Sequence, residues 1–276
     1  MKPLAWVPVL LAGLVSTALA VEPDAAPRTF VLAVSEGTSG GIDADTAKRK
    51  YAPMAQRLSE ALGARVQIEF VREFARLEAG MREDRFELVI ARPSDYPARG
   101  LRDYGYQFVA TARPEGRCII AVKTGAGVGQ LADLKAATVV MPEKPAYMTR
   151  FCRAALRDEG VDLDRVNVYY VREQGAIPFA IENGIAGAGG MASYSGAVRS
   201  WRADGGGVLF ESREQPYMPM VASPRLSRAD IEKVQQVLTG LSGSPSGRDF
   251  LQQLRIEGFV TSEEARLRKL LDWLGV

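Results

Sequence analysis

The spacing of apolar residues changes period along the chain, and the changes outline an architecture. Phe30-Val31-Leu32-Ala33-Val34 is a short apolar run that predicts a buried strand, followed by a polar, glycine-rich loop from Ser35 to Gly41. Tyr51, Met54, Ala55, Leu58 and Leu62 then recur at helical spacing until Gly63 stops the helix, and Val66-Gln67-Ile68-Glu69-Phe70 alternates as a strand. Phe74, Leu77 and Met81 mark a second helix. Leu88-Val89-Ile90-Ala91 is a third strand, running into Arg92-Pro93-Ser94-Asp95-Tyr96. Strand, helix, strand, helix, strand within so short a stretch predicts a parallel sheet with right-handed crossovers.

The pattern is then written a second time. Tyr106 to Thr111 and Cys118 to Val122 read as extended, with Ala112 to Arg117 as the connection between them. Leu131 and Leu134 mark a short helix and Thr138-Val139-Val140-Met141 a strand. Pro142 to Ala146 open a helix carrying Phe151, Ala155 and Leu156. Val166 to Val171 is a strand, Ile177 to Ile181 lie in a helix, and Gly187 to Met191 lead into a helix ending near Trp201. Gly205-Gly206-Gly207 and Pro216 to Pro219 punctuate a return, and Met220 to Ser223 is extended. Three helices close the chain, starting near Ser227, Pro245-Ser246 and Thr261 to Glu264. Their apolar stripes need a surface, and the first block of strands is the natural one. The expected fold is therefore α/β and two-lobed, each lobe a mainly parallel sheet flanked by helices, with a hinge between. Residues 28–111 and 216–276 form a discontinuous first lobe and residues 112–215 the second.

In open α/β sheets ligands collect at the carboxyl ends of parallel strands, which turns the loops there into candidates. Ser35 and Thr38 follow the first strand, and Arg92, Ser94 and Tyr96 the third. Tyr147 and Thr149 open a second-block helix; Gln174 and Ser193 follow later strands. Tyr51 is placed to wall the same cleft. Arg92 supplies charge, the hydroxyls hydrogen bonds, and the free N–H groups at a helix start favour an anion. Gly125-Ala126-Gly127-Val128-Gly129 resembles a dinucleotide fingerprint but has Gln130 where the last glycine belongs, so it reads as a loop.

Composition narrows the chemistry. The chain has 276 residues, 47% hydrophobic and 25% charged, which allows one large domain or two small ones. It has no histidine, which removes the Ser-His-Asp triad and mixed zinc sites, so a binding protein is expected rather than an enzyme, with no cofactor and no metal. Lys2, the apolar run Val7 to Val15 and Ala18-Leu19-Ala20 match a cleavable export signal over residues 1–20. Its loss takes the net charge from +2 to +1 by removing Lys2, too little to bind nucleic acid by bulk charge. The two cysteines, Cys118 and Cys152, can pair in an oxidising compartment, but spacing does not show that they meet, and their places in an apolar strand and a helical pattern lead to the expectation of buried free thiols.

These motifs together resemble the substrate-binding proteins of ABC importers for phosphonate, phosphite and phosphate. The likeness runs from about Thr29 to Phe259. It is carried by Tyr51-Ala52-Pro53-Met54, by Phe86-Glu87-Leu88-Val89 before Arg92 to Tyr96, by Leu131-Ala132-Asp133-Leu134-Lys135, and by Pro245 to Leu251 with Gly258-Phe259-Val260. It implies a type II periplasmic binding protein fold: a monomer in the periplasm that closes on a small, oxyanionic solute and hands it to an ABC permease. A sensor of the same fold docking on a receptor kinase is the alternative. The motif departs from the family at the ligand. Ala146-Tyr147-Met148-Thr149 replaces the usual hydroxyl and glycine cluster, Gly189-Gly190-Met191 stands where aminophosphonate binders have a carboxylate, and a histidine often found near Gln174-Gly175 is missing.

Overall fold

The structure is a computed structural model that describes residues 28–36, 43–125 and 127–276, so the export segment 1–20 and the candidate Thr38 lie outside the described residues. The first block follows the hydrophobic period closely: β1 (Thr29–Ser35), α1 (Ala44–Leu62), β2 (Arg65–Phe70), α2 (Phe74–Arg82), β3 (Leu88–Ala91) and α3 (Asp95–Asp103). Asp43 caps α1 by accepting from the Thr46 amide, and Gly63 ends it at φ 56°, a left-handed position that favours glycine. Tyr51, Met54, Ala55, Leu58 and Leu62 all face the core, as their spacing requires.

The chain continues through β4 (Gln107–Gly116), β5 (Cys118–Val122), β6 (Thr138–Pro142), α4 (Tyr147–Asp158), β7 (Asn167–Val171), α5 (Ala176–Glu182), β8 (Ala188–Ala192), α6 (Gly196–Ala203) and β9 (Gly207–Glu211). It returns by β10 (Gln215–Ala222) and ends in α7 (Arg228–Thr239), α8 (Pro245–Leu254), β11 (Gly258–Val260) and α9 (Glu264–Leu274). The strands form two sheets. One has six strands in the order β11-β4-β10-β3-β1-β2, the other five in the order β7-β6-β8-β5-β9.

Both sheets are mixed, which corrects the expectation of mainly parallel ones. β1 is parallel to β2 and β3, and β6 to β7 and β8. β10 runs antiparallel between β3 and β4, and β5 antiparallel between β8 and β9. The reason is an exchange. The strand that enters each sheet from the other takes an interior place and runs antiparallel to both of its neighbours. Hydrophobic period records burial but not direction, so these insertions leave no mark in it. For the same reason Ala112 to Gly116, expected as a connection, remain in β4, where Ala112 pairs with Tyr217 and Gly116 with Gln215.

Around these crossings sits a cluster of buried and half-buried ions. Arg113 contacts Glu263 at 2.7 Å, Arg117 contacts Glu214 at 2.7 Å, and Arg266 of α9 reaches both Glu115 and Glu263 at 2.8 Å. Burial raises the Glu115 carboxyl above its ordinary value despite Arg266 and Arg113 beside it. Helix α9 packs on α3 and on α4, so it touches both blocks rather than the first alone. Leu267, Leu270, Leu271 and Leu274 are buried in one continuous cluster with Leu101 and Phe151, and Trp273 meets the edge of Phe151 at 5.2 Å.

Cys118 and Cys152 form a disulfide, which overturns the reading as free thiols. Helix α4 lies across β5 and β8 and brings the two Cα atoms to 5.2 Å, within bonding range. That contact exists only because β5 is inserted beside β8, a relation the spacing of the cysteines does not encode. Alkylation of the denatured, unreduced protein should find no free thiol. Replacing both cysteines with serine should lower stability by roughly 3–4 kcal/mol, the loop entropy expected of such a crosslink, measurable by urea unfolding.

Candidate functional site

The carboxyl ends of β1 and β3 in the first sheet face those of β6 and β8 in the second, and side chains from both meet there. Glu36, the first residue past β1, has a 4% exposed side chain and is held by three donors. Arg92 Nη2 donates to its Oε2 at 2.7 Å, while Lys50 Nζ and the Tyr51 hydroxyl donate to its Oε1 at 2.5 and 2.7 Å. Burial works to raise the Glu36 carboxyl, but Arg92, Lys50 and Tyr51 outweigh it and hold it below its ordinary value. Arg92 also donates from Nη1 to the Tyr217 hydroxyl of β10 at 2.9 Å. Burial works against its charge, yet Tyr217 and Glu36 more than offset this and its pKa is raised.

A second group joins the sheets. Tyr194, past β8, stacks on Tyr217 with ring centroids 4.3 Å apart. Arg150 in the first turn of α4 approaches the Asp95 carboxylate to 3.6 Å. Tyr147, at the start of α4, is buried beside Ser94 and Asp95, and burial raises its phenol well above the ordinary value. Among the described residues Asp95 Oδ1 has no hydrogen-bond partner, and burial pushes its carboxyl up to about 6 although Arg150 and Arg99 pull the other way. No side chain caps α4, whose N-cap is Ala146.

The sequence candidates divide into those at this junction and those used elsewhere. Tyr51 and Arg92 belong to the Glu36 cluster. Ser94 donates to the Pro216 carbonyl at 2.7 Å and ties α3 to the start of β10. Ser35 is buried, its Oγ has no partner among the described residues, and its carbonyl accepts from the Arg92 amide. Tyr96 stacks on Phe74 at 4.7 Å, and burial with Asp95 nearby raises its phenol to about 12. Thr149 donates to the Pro142 carbonyl, closing the turn into α4. Gln174 accepts from the Ala192 amide and Ser193 from the Arg117 amide, so both brace the carboxyl end of β8.

Sequence reasoning missed Glu36, Asp95, Arg150, Tyr194 and Tyr217. Glu36, Asp95 and Tyr194 stand next to residues it chose and were legible as polar positions at strand ends. Tyr217 had no local signal, because its role comes from the insertion of β10. A cavity of about 530 Å³ lies at the other end of α4, against Phe210, Arg213, Arg266 and Trp273. None of the candidate residues lines it, and we place the site at the strand ends, where the buried polar groups converge. Among the described residues no cluster of His, Cys, Asp or Glu is arranged to hold a metal.

The Asp95 carboxyl has a higher pKa in the folded chain than its ordinary 3.8, so its ionised form opposes folding. This penalty is absent below that ordinary value and complete above about 6. Unfolding free energies of wild type and Asp95→Asn should therefore diverge as pH rises from 4 to 7.5. The wild type should lose ~2–3 kcal/mol relative to the variant over that window.

The pattern defining the family described as "ABC transporter, phosphonate, periplasmic substrate-binding protein" matches residues 41–267. A search by sequence finds no match among curated proteins. Among solved structures, PhnD1 from Prochlorococcus marinus in complex with methylphosphonate is similar with a TM-score of 0.66 at 14% identity, over 88% of this chain and 96% of that one. A binding-protein component of an ABC phosphonate transporter from Pseudomonas aeruginosa gives 0.61 at 13% identity, over 90% and 86%. XAC2383 from Xanthomonas citri bound to ATP gives 0.68 at 12% identity, over 89% and 97%. At such identities these likenesses speak for the two-lobed fold alone, and the match over residues 41–267 carries the assignment: the chain belongs to the phosphonate-type periplasmic substrate-binding proteins of ABC transporters.

Proposed function

We propose that the protein captures a small oxyanionic solute, of the phosphate, phosphite or phosphonate kind, between its two lobes and delivers it to an ABC importer. The observation that carries this reading is the meeting of strand ends from both sheets around Arg92, Arg150 and the uncapped start of α4. Guanidinium groups match tetrahedral oxyanions through paired hydrogen bonds, and open amides at a helix start add partial positive charge. In this reading residues 28–111 with 216–276 form one moving unit and residues 112–215 the other. The paired stretches near Ala112 and Tyr217 act as the hinge. Closure brings Tyr147 and Arg150 of the second lobe onto Ser94 and Asp95 of the first, so a solute that touches both lobes favours the closed form. Residues 1–20 direct export to the periplasm, the protein acts as a monomer, and its role is binding without catalysis.

Titration calorimetry with methylphosphonate, phosphite and inorganic phosphate tests this. At least one should bind with 1:1 stoichiometry, and Arg150→Gln should weaken that complex about tenfold, ~1.4 kcal/mol. Absence of binding by all three at millimolar concentration would overturn the reading.

A further inference from the structure

Three donors from two elements, Arg92 after β3 and Lys50 and Tyr51 of α1, converge on one buried carboxylate, that of Glu36 after β1. That is the arrangement of an anion-binding site, with a side chain of the protein as its occupant. The occupant does not saturate it. Among the described residues Arg92 Nε is buried without a partner, and so is Ser35 Oγ, on the residue whose carbonyl accepts from the Arg92 amide. A carboxylate brings two acceptor oxygens, both already engaged by the Arg92, Lys50 and Tyr51 donors. A tetrahedral oxyanion brings three or four, enough to take the same donors and reach the two atoms left over. The site is also balanced for exchange of one anion for another: with Glu36 present the two cations are half neutralised, and a second anion beside it would meet a like charge at close range.

We propose that Glu36 is a resident anion, whose carboxylate occupies the donor set that a tetrahedral oxyanion takes over, so that solute binds by displacing it. The inference rests on the proposed function and deepens it. Glu36 sets the affinity threshold of the site, because every solute must outcompete an anion already tethered there. Solutes with three or more acceptor oxygens gain over simple carboxylates, which offer nothing that Glu36 does not.

The test is calorimetric titration of wild type and Glu36→Gln with inorganic phosphate, methylphosphonate and acetate. Removing the competing charge while keeping the side chain's shape should tighten phosphate or methylphosphonate at least tenfold and leave acetate weaker than either. Without added anion the variant should melt below wild type, since Arg92 and Lys50 lose their counter-ion, and saturating phosphate should restore its melting temperature. Glu36→Asp, whose shorter arm reaches fewer of the donors, should show a smaller gain in the same direction and serves if the glutamine variant does not fold. If wild type binds an oxyanion and both variants bind it equally or more weakly, Glu36 is a fixed part of the wall and the displacement idea falls while the functional reading stands. If neither wild type nor variants bind phosphate or methylphosphonate, both fall together.

Discussion

A guanidinium buried at the end of β3 organises the carboxyl face of the first sheet. Arg92 keeps 22% of its side chain exposed, and a cation so largely withdrawn from water persists only when its charge and N–H groups are met. The residues that meet it come from separate parts of the chain: Glu36 after β1, with Lys50 and Tyr51 of α1 behind it, and Tyr217 in β10. Glu36, Tyr51 and Tyr217 are themselves buried, while Lys50 is half-buried. Removing one side of such a pair typically costs about 3–5 kcal/mol, because the remaining charge is stranded. The cluster thus pins β1, α1, β3 and β10 to one another at the end of the sheet where the second lobe approaches.

Communication between lobes is concentrated in a few elements. β4 passes into β5 within two residues and β9 into β10 within four, and the arginine and glutamate cluster surrounds both passages. Helix α9 lies across this region with four buried leucines, each worth ~1.5–3 kcal/mol of burial, shared between α3 and α4. Any rotation of the second lobe has to slide α4 on α9 or bend the paired ends of β4 and β10.

Much of the fold was legible because burial imposes a period. Tyr51 through Leu62 and Leu267 through Leu274 announce helices with one apolar face. Leu88 to Ala91 has no polar side at all, which suits a strand covered on both faces. What stayed hidden depends on direction and on partners far away in sequence. The antiparallel insertion of β5 and β10, and with it the Cys118–Cys152 bond, follows from which edges the crossings find. At the candidate site, hydroxyls such as Ser94 and Thr149 were legible as polar residues at strand ends, but their bonds to the Pro216 and Pro142 carbonyls are set by the surrounding turns. Arg92 was found by its position, whereas its pairing with Glu36 required knowing that β1 and β3 are neighbours.

The place of β10 bears on how the chain matures as it is made. The five-stranded sheet is drawn from one uninterrupted stretch, β5 to β9, and has all its strands once that stretch has emerged. The six-stranded sheet cannot close then. Until β10 appears, β3 offers an edge of four apolar residues, Leu88-Val89-Ile90-Ala91, with no charge or proline to discourage pairing with another chain. The nascent polypeptide therefore carries a sticky, unpaired edge for more than a hundred residues of synthesis, and its later lobe can mature before its earlier one. A holdase that shields that edge has a defined task, and its work ends when residues 215–222 slot in between β3 and β4.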